Sequence, residues 1–259
     1  MSTVLLGRGA IATYLRRQLD QDGTPPVAML VRAGTSNAGD PVPWRHSVDQ
    51  LPRDARLLVD CAGHSGLAEH GPDALRAGLD VLTVSLGALA DARLYETLEA
   101  AAGIGNSTLH LASGAIGGLD VLRAARADGL NQVIYRGRKP PAGWRGSAAE
   151  EVVDLNRPLA AAVTHFQGSA REAALRYPKN ANVAAAVALS GLGFDRTEVA
   201  LIADPTTTQN IHEVDASGAF GEMTFRLSGA TLLANPRTSA LAAMSLLSAI
   251  RTRGQRVTF

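Results

Sequence analysis

Hydrophobic positions fall into two rhythms along this chain, and the change between them divides it. Short, continuous apolar runs open the first half: Thr3 to Leu6, then 27–31, 57–59 and 80–84. Runs without polar alternation suit strands buried on both faces of a parallel sheet. Between them lie helical patterns, with Ile11, Leu15 and Leu19 on one face of the first, and further helices expected over 67–77 and 92–102. Strands alternating with helices predict right-handed βαβ crossovers and a doubly wound sheet. After Ser113 the rhythm changes. A glycine-rich stretch, 113–118, reads as a loop entering a helix near Leu119, and 132–135 as a strand. The polar, proline-punctuated segment 136–141 reads as loop. Ser169 and Glu172 are spaced as a capping box, opening a helix that stops before Pro178. A small-residue helix over 183–192 follows, then strands at 198–202, 211–214 and 223–227, whose quick succession predicts an antiparallel α+β arrangement. Asn235-Pro236 reads as the cap and first residue of a last apolar helix through Leu241, Met244, Leu247 and Ile250. The fold expected is α/β, with an N-terminal Rossmann domain over 1–112 completed by the C-terminal helix in 235–259, and a central α+β domain over 113–234.

Composition removes several function classes. There are 25 Lys and Arg against 24 Asp and Glu, without the basic excess of a nucleic-acid binder. The N-terminus carries no signal-peptide pattern, and no apolar run reaches the roughly 18 residues of a spanning helix. A single cysteine, Cys61, excludes an internal disulfide and fits a reducing, cytoplasmic setting. No His or Cys pair has metal-ligand spacing, so no metal site is expected.

Chemistry concentrates at four places. Gly7-Arg8-Gly9-Ala10-Ile11-Ala12 is G-x-G-x-x-A, placed between the first strand and the first helix. There the first glycine permits a tight turn and the second admits a pyrophosphate to the backbone, with Ala10 and Ile11 opening a helix whose N–H groups face an anion. The strand that usually ends in an acidic residue for a ribose 2′-hydroxyl ends here in Val31-Arg32. Arg32 has two readings, a 2′-phosphate ligand selecting NADP or a solvated strand-end cation. His212 follows a polar loop from Ala203, and its imidazole is either an acid–base group or a structural histidine. His64 is a second, weaker candidate. Lys179, Asn180 and Asn182 flank a helix start, which suits a carboxylate or is a plain capped helix.

Taken together, Ser113-Gly114-Ala115-Ile116-Gly117-Gly118-Leu119-Asp120, Lys139-Pro140-Pro141, Phe166-Gln167-Gly168-Ser169-Ala170, Pro178-Lys179-Asn180-Ala181-Asn182-Val183, Ala203-Asp204-Pro205 and Asn210-Ile211-His212 resemble the L-aspartate dehydrogenase family in order and spacing. The resemblance implies a NAD or NADP cofactor contacted by Ala115 and Asn182, and His212 as catalytic acid–base. It also implies a homodimer formed through the central domain's sheet, and a place in amino-acid metabolism with iminosuccinate available for NAD synthesis. The reaction implied is reversible oxidative deamination of L-aspartate to oxaloacetate and ammonia. Lys179, Asn180 and His212 are the substrate-binding candidates. Homoserine dehydrogenase and dihydrodipicolinate reductase relatives share the fold logic, and a non-catalytic NAD(P)-binding sensor would share the glycine fingerprint.

Overall fold

A computed structural model describes residues 2–36, 39–232 and 235–257. The chain divides into two compact units, residues 1–112 with 242–259, and residues 113–241.

The first unit is a six-stranded parallel sheet. Its strands are β1 (Thr3–Leu6), β2 (Ala28–Leu30), β3 (Trp44–Arg45), β4 (Leu57–Asp60), β5 (Asp80–Thr83) and β6 (Leu109–Leu111), in the order β3-β2-β1-β4-β5-β6. Helices α1 (Ala10–Gln21), α2 (His64–Arg76) and α3 (Ala92–Gly105) make the crossovers. The order reverses at β1, which pairs with β2 on one side and β4 on the other. In such sheets the crevice beyond the strand ends at this switch point is where ligands bind. Leu5, Val59 and Leu82 of the sheet pack with Leu15 and Leu19 of α1 and with Leu246 and Leu247 from the C-terminal segment. Each fully buried leucine contributes about 1.5–3 kcal/mol.

The second unit carries α4 (Leu119–Ala125), β7 (Leu130–Lys139), β8 (Val163–Ser169), α5 (Ala170–Arg176), α6 (Asn182–Ser190), β9 (Glu198–Ala203), β10 (Asn210–Gly218) and β11 (Gly221–Gly229). Its five-stranded sheet has the order β11-β10-β7-β9-β8. The expected antiparallel arrangement needs one correction, because β7 and β9 pair in parallel. The chain between them first forms β8, α5 and α6, and so returns by a crossover long enough to restore direction.

A larger correction concerns 136–141. Strand β7 runs on through Arg136, Gly137, Arg138 and Lys139 before the prolines stop it. Arginines at alternate positions leave one face of the strand, where Arg136 meets Asp215 and Arg138 meets Asp204 at 2.8 Å. Val133, Tyr135 and Gly137 are buried on the other face, and Val133 approaches Gly191 at the end of α6. Polarity that reads as loop is the outer face of a central strand.

The capping box forms as expected, with Ser169 and Glu172 each bonded to the other's backbone N–H. Asn235-Pro236 does not start the last helix. Residues Asn235–Ser239 form β13, paired with β12 (Thr231–Leu232), and α7 (Ala240–Thr252) begins after it. Pairing with β12 claims the residues that would otherwise cap the helix, and residues 235–241 therefore belong to the second unit.

Candidate functional site

In the first unit a cavity of about 600 Å³ opens at the switch point, lined among others by Gly7, Arg8, Gly9, Arg32, Gly34 and Ser65. Gly7 has φ +96, and a Cβ there would lie 3.1–3.2 Å from Ala62. Both facts demand glycine, since an L side chain is strained at that φ and has no room. Gly9 differs, because nothing lies within 4 Å of where its Cβ would be and the backbone is open to the cavity. Helix α1 starts immediately after it with no side-chain cap on Gly9. The N–H groups of Ala10 and Ile11 and the positive helix end are thus left for an anion. Arg8 and Arg32 bring two exposed cations to the same cavity. The arrangement fits the pyrophosphate and ribose of a dinucleotide.

Asp60 holds this turn from below. Its fully buried carboxylate accepts from Thr83 Oγ1 at 2.7 Å, Ser85 Oγ at 2.5 Å, Ala62 N at 2.9 Å and Gly63 N at 3.2 Å. Burial pushes its pKa up, and these donors oppose the rise. The aspartate that ends β4 thus fixes the Ala62 backbone against which Gly7 packs. His64, the weaker acid–base candidate, is the first residue of α2, after the N-cap Gly63.

The second unit assembles a different kind of site. Register places His212 opposite Gly137 and Val214 opposite Tyr135, so Tyr135 reaches diagonally across its sheet face. Its hydroxyl meets His212 Nδ1 at 2.8 Å, with the rings stacked at 6.0 Å between centroids. A Cβ at Gly137 would lie 2.7 Å from the Tyr135 hydroxyl oxygen, so glycine at that position leaves the tyrosine its path. Both residues are buried, at 1% and 4% exposure. Burial, and then the nearby charge of Lys139, lower the His212 pKa to about 4. The imidazole is therefore neutral at pH 7 and free to take up a proton. Burial raises the Tyr135 pKa, which keeps its hydroxyl protonated.

Lys139 lies two residues beyond Gly137 on the same strand. Its ammonium donates to Asn180 Oδ1 at 2.8 Å and stands 4.8 Å from the Trp144 ring centroid. Burial lowers its pKa to about 8. Beside it, His165 is buried against Trp144 and Tyr177, and burial followed by the charges of Lys139 and Arg176 lowers its pKa to about 4.

The structure thus gathers Gly7, Gly9 and Arg32 on one cavity, with Ala10 and Ile11 in the helix turn that follows. It links Asn180 to Lys139, and Lys139 electrostatically to His212. Asn182 is the first residue of α6, Lys179 is exposed in the turn before it, and Ala115 is buried in the 113–118 loop. Asp60, Tyr135 and Lys139 escape the sequence reading. Lys139 stood in a motif but in an expected loop, and only strand register reveals that Tyr135 faces His212. No trio of His, Cys, Asp or Glu able to hold a metal ion occurs among the described residues.

Comparison with known proteins covers both units. The family described as "Aspartate dehydrogenase, C-terminal" matches residues 120–253, and "Homoserine dehydrogenase, NAD binding domain" matches residues 7–112. The L-aspartate dehydrogenase of Ruegeria pomeroyi is 53% identical over 98% of this chain and 92% of its own length. The chain belongs to the L-aspartate dehydrogenase family. A Pseudomonas aeruginosa member is 45% identical, with 96% of each chain covered. The crystal structure of aspartate dehydrogenase from Thermotoga maritima superposes with a TM-score of 0.80 at 26% identity, covering 100% of this chain and 99% of the other. This L-aspartate dehydrogenase family member is accordingly an oxidoreductase with a Rossmann-type NAD(P)-binding domain.

Proposed function

We propose that this family member catalyses the reversible oxidative deamination of L-aspartate to oxaloacetate and ammonia through iminosuccinate, with His212 as its acid–base group. The observation that carries the reading is the His212–Tyr135 pair, a buried imidazole kept neutral at pH 7 beside a half-buried cation.

A nicotinamide dinucleotide, when bound, would supply the acceptor for the hydride that leaves the substrate α-carbon. The remaining work falls to the protein. Gly7, Gly9, Ala10, Ile11 and Arg32 would hold the dinucleotide at the glycine turn, and Ala115 and Asn182 are the further cofactor contacts that family membership implies. Loss of hydride from the α-carbon and of one proton from the α-ammonium leaves the protonated imine. His212 then takes a proton from water as its hydroxyl adds to the imine carbon, returns that proton to the nitrogen, and takes up the hydroxyl proton as the carbonyl forms and ammonia departs. A hydroxyl partner suits both directions of transfer. The Tyr135 oxygen accepts from Nδ1–H when Nε2 is to receive a proton, and goes on accepting it in the imidazolium that carries that proton. The substrate's two carboxylates need donors, which Lys179, Asn180 and the N-terminus of α6 offer.

Arg32 in the cavity favours NADP, since a guanidinium matches a 2′-phosphate. A cytoplasmic homodimer is also part of this reading. The outer face of the second unit's sheet is half-exposed and carries Ile134, Arg136 and Asp215, which suits a self-complementary surface. Sedimentation equilibrium is expected to give about twice the 27.0 kDa chain mass, and a monomer at micromolar concentration overturns the dimer. Nicotinamide absorbance with NAD+ or NADP+ across a panel of amino acids tests the activity itself. Aspartate is expected to stand apart from the panel; no turnover with any amino acid points to a sensor instead.

A further inference from the structure

Of the 25 lysine and arginine residues in the sequence, only Lys139 and Lys179 are lysine. Surface ion pairs here are made by arginine, as in Arg171–Asp195, Arg176–Glu151 and Arg251–Asp22. A compact ammonium with three rotatable donors is therefore the exception in this chain, and one of the two exceptions is half-buried.

Lys139 has no carboxylate of its own. Among the described residues no Asp or Glu pairs with it, and the nearest in sequence to its strand partner Ala203, Asp204, is taken by Arg138 and by Thr206. Its contacts are one neutral amide oxygen, at Asn180, and the face of Trp144. Asn180 fixes one donor and the indole shields the stem, which leaves the ammonium with donors to spare. Charge removed from water without an anion is costly unless a ligand supplies one. The geometry beside it is that of a reacting centre, because Lys139 shares the strand that carries Tyr135 and is close enough to His212 to depress its protonation.

We propose that Lys139 is the anchor for a carboxylate of the substrate, with Asn180 holding the ammonium in place. This rests on the dehydrogenase reading above and gives it a specificity-determining residue. An amino acid with two carboxylates brings the anion that the protein withholds, and Lys139 acts by binding it.

The kinetic arm uses the enzyme supplied with NAD(P)+, and the binding arm the enzyme with NAD(P)H bound. Lys139→Met keeps the stem and removes the charge, and is expected to raise KM for aspartate roughly ten- to a hundredfold with a smaller change in kcat. Lys139→Arg is expected to recover part of the loss. An unchanged KM in the methionine variant overturns the proposal. A second arm needs no turnover and no substitution of Lys139. With two lysines in the sequence, reductive methylation with ¹³C-formaldehyde yields two side-chain resonances, assigned through Lys179→Arg. The Lys139 resonance is expected to move on addition of succinate. β-Alanine, which keeps only the side-chain carboxylate of aspartate, and asparagine, which keeps only the α-carboxylate as an anion, then show which group is held. A Lys139 resonance that ignores all three ligands, in an enzyme that still oxidises aspartate, overturns the anchor and leaves the activity standing. A shift in a protein that oxidises no amino acid does the reverse.

Discussion

In the first unit the cavity is shaped by backbone: a glycine at φ +96, a second glycine with open space before it, and an uncapped helix start. In the second unit the reactive groups are side chains, held neutral or short of partners by burial: His212 and His165 with pKa values near 4, and Lys139 near 8. A backbone cradle presents N–H groups that do not titrate, so its affinity for a phosphate is insensitive to pH over the neutral range. Desolvated side chains are tuned by their surroundings, and each change nearby alters their protonation. The proposed reading makes this a division of labour, with the cofactor's phosphates assigned to groups that do not titrate and proton transfer to groups that do.

The sharpest way to break this comparison is to remove the imidazole. His212→Ala is expected to lower turnover by roughly a hundredfold or more. Cofactor affinity, measured by quenching or enhancement of NAD(P)H fluorescence, is expected to remain near the parental value. The glycine turn is built within residues 1–112 and makes no use of the ring. Near-parental turnover removes His212 from the mechanism. A variant that does not fold, by circular dichroism, makes the histidine structural.

The complementary change belongs to the first unit. Arg32→Ala is expected to weaken NADP binding by about ten- to a hundredfold, the loss of a charge-assisted phosphate contact, and to leave NAD binding nearly unchanged. Titration of the protein with each reduced cofactor measures both. Equal NADP affinity in variant and parent means that Arg32 is solvated and that Arg8 or backbone supplies what the phosphate needs.

The same division explains what could be read before the structure. A backbone site has a local signature, because the turn, the strand before it and the helix after it are contiguous; Gly7 to Ala12 carries the whole pattern. His212 stood out for its polar loop and family motif, but its partner lies 77 residues away and meets it through the pairing of β10 with β7. Nothing local marks Tyr135 as that partner. Lys139 was hidden for a different reason: Arg136 and Arg138 made the strand look like a loop, although alternation puts them on the face opposite Tyr135 and Gly137. Hairpin pairing likewise overrode the local helix-start signal at Asn235-Pro236. Elements with strong periodicity survived, and signals that depend on which strand lies alongside did not.

The smallest expected effect refines the second unit's side of the comparison. Tyr135→Phe removes one oxygen and leaves the ring, so packing against the buried sheet face is largely kept. Loss of one buried hydrogen bond to the acid–base group corresponds to about 1–1.5 kcal/mol, or roughly tenfold in kcat, with KM little changed. The pH profile distinguishes positioning from mere packing. As the proposed base His212 acts when neutral, so the parental profile is expected to have its acid limb near pH 4, well below the ordinary histidine value of 6.5. The protonated ring has hydrogens on both nitrogens, and Tyr135 Oη is the acceptor available to Nδ1–H. Without that oxygen the imidazolium is penalised more than the neutral ring, which gives up a weaker, uncharged bond. The pKa therefore falls further, and the limb moves to lower pH. The ¹³C resonance of the His212 ring, followed through an acid titration of parent and variant, reads the shift directly. A limb that stays in place while kcat falls assigns Tyr135 to packing alone. A limb that rises toward 6.5 means that the phenylalanine variant has let water reach the ring, and that burial rather than the hydroxyl sets the protonation of this site.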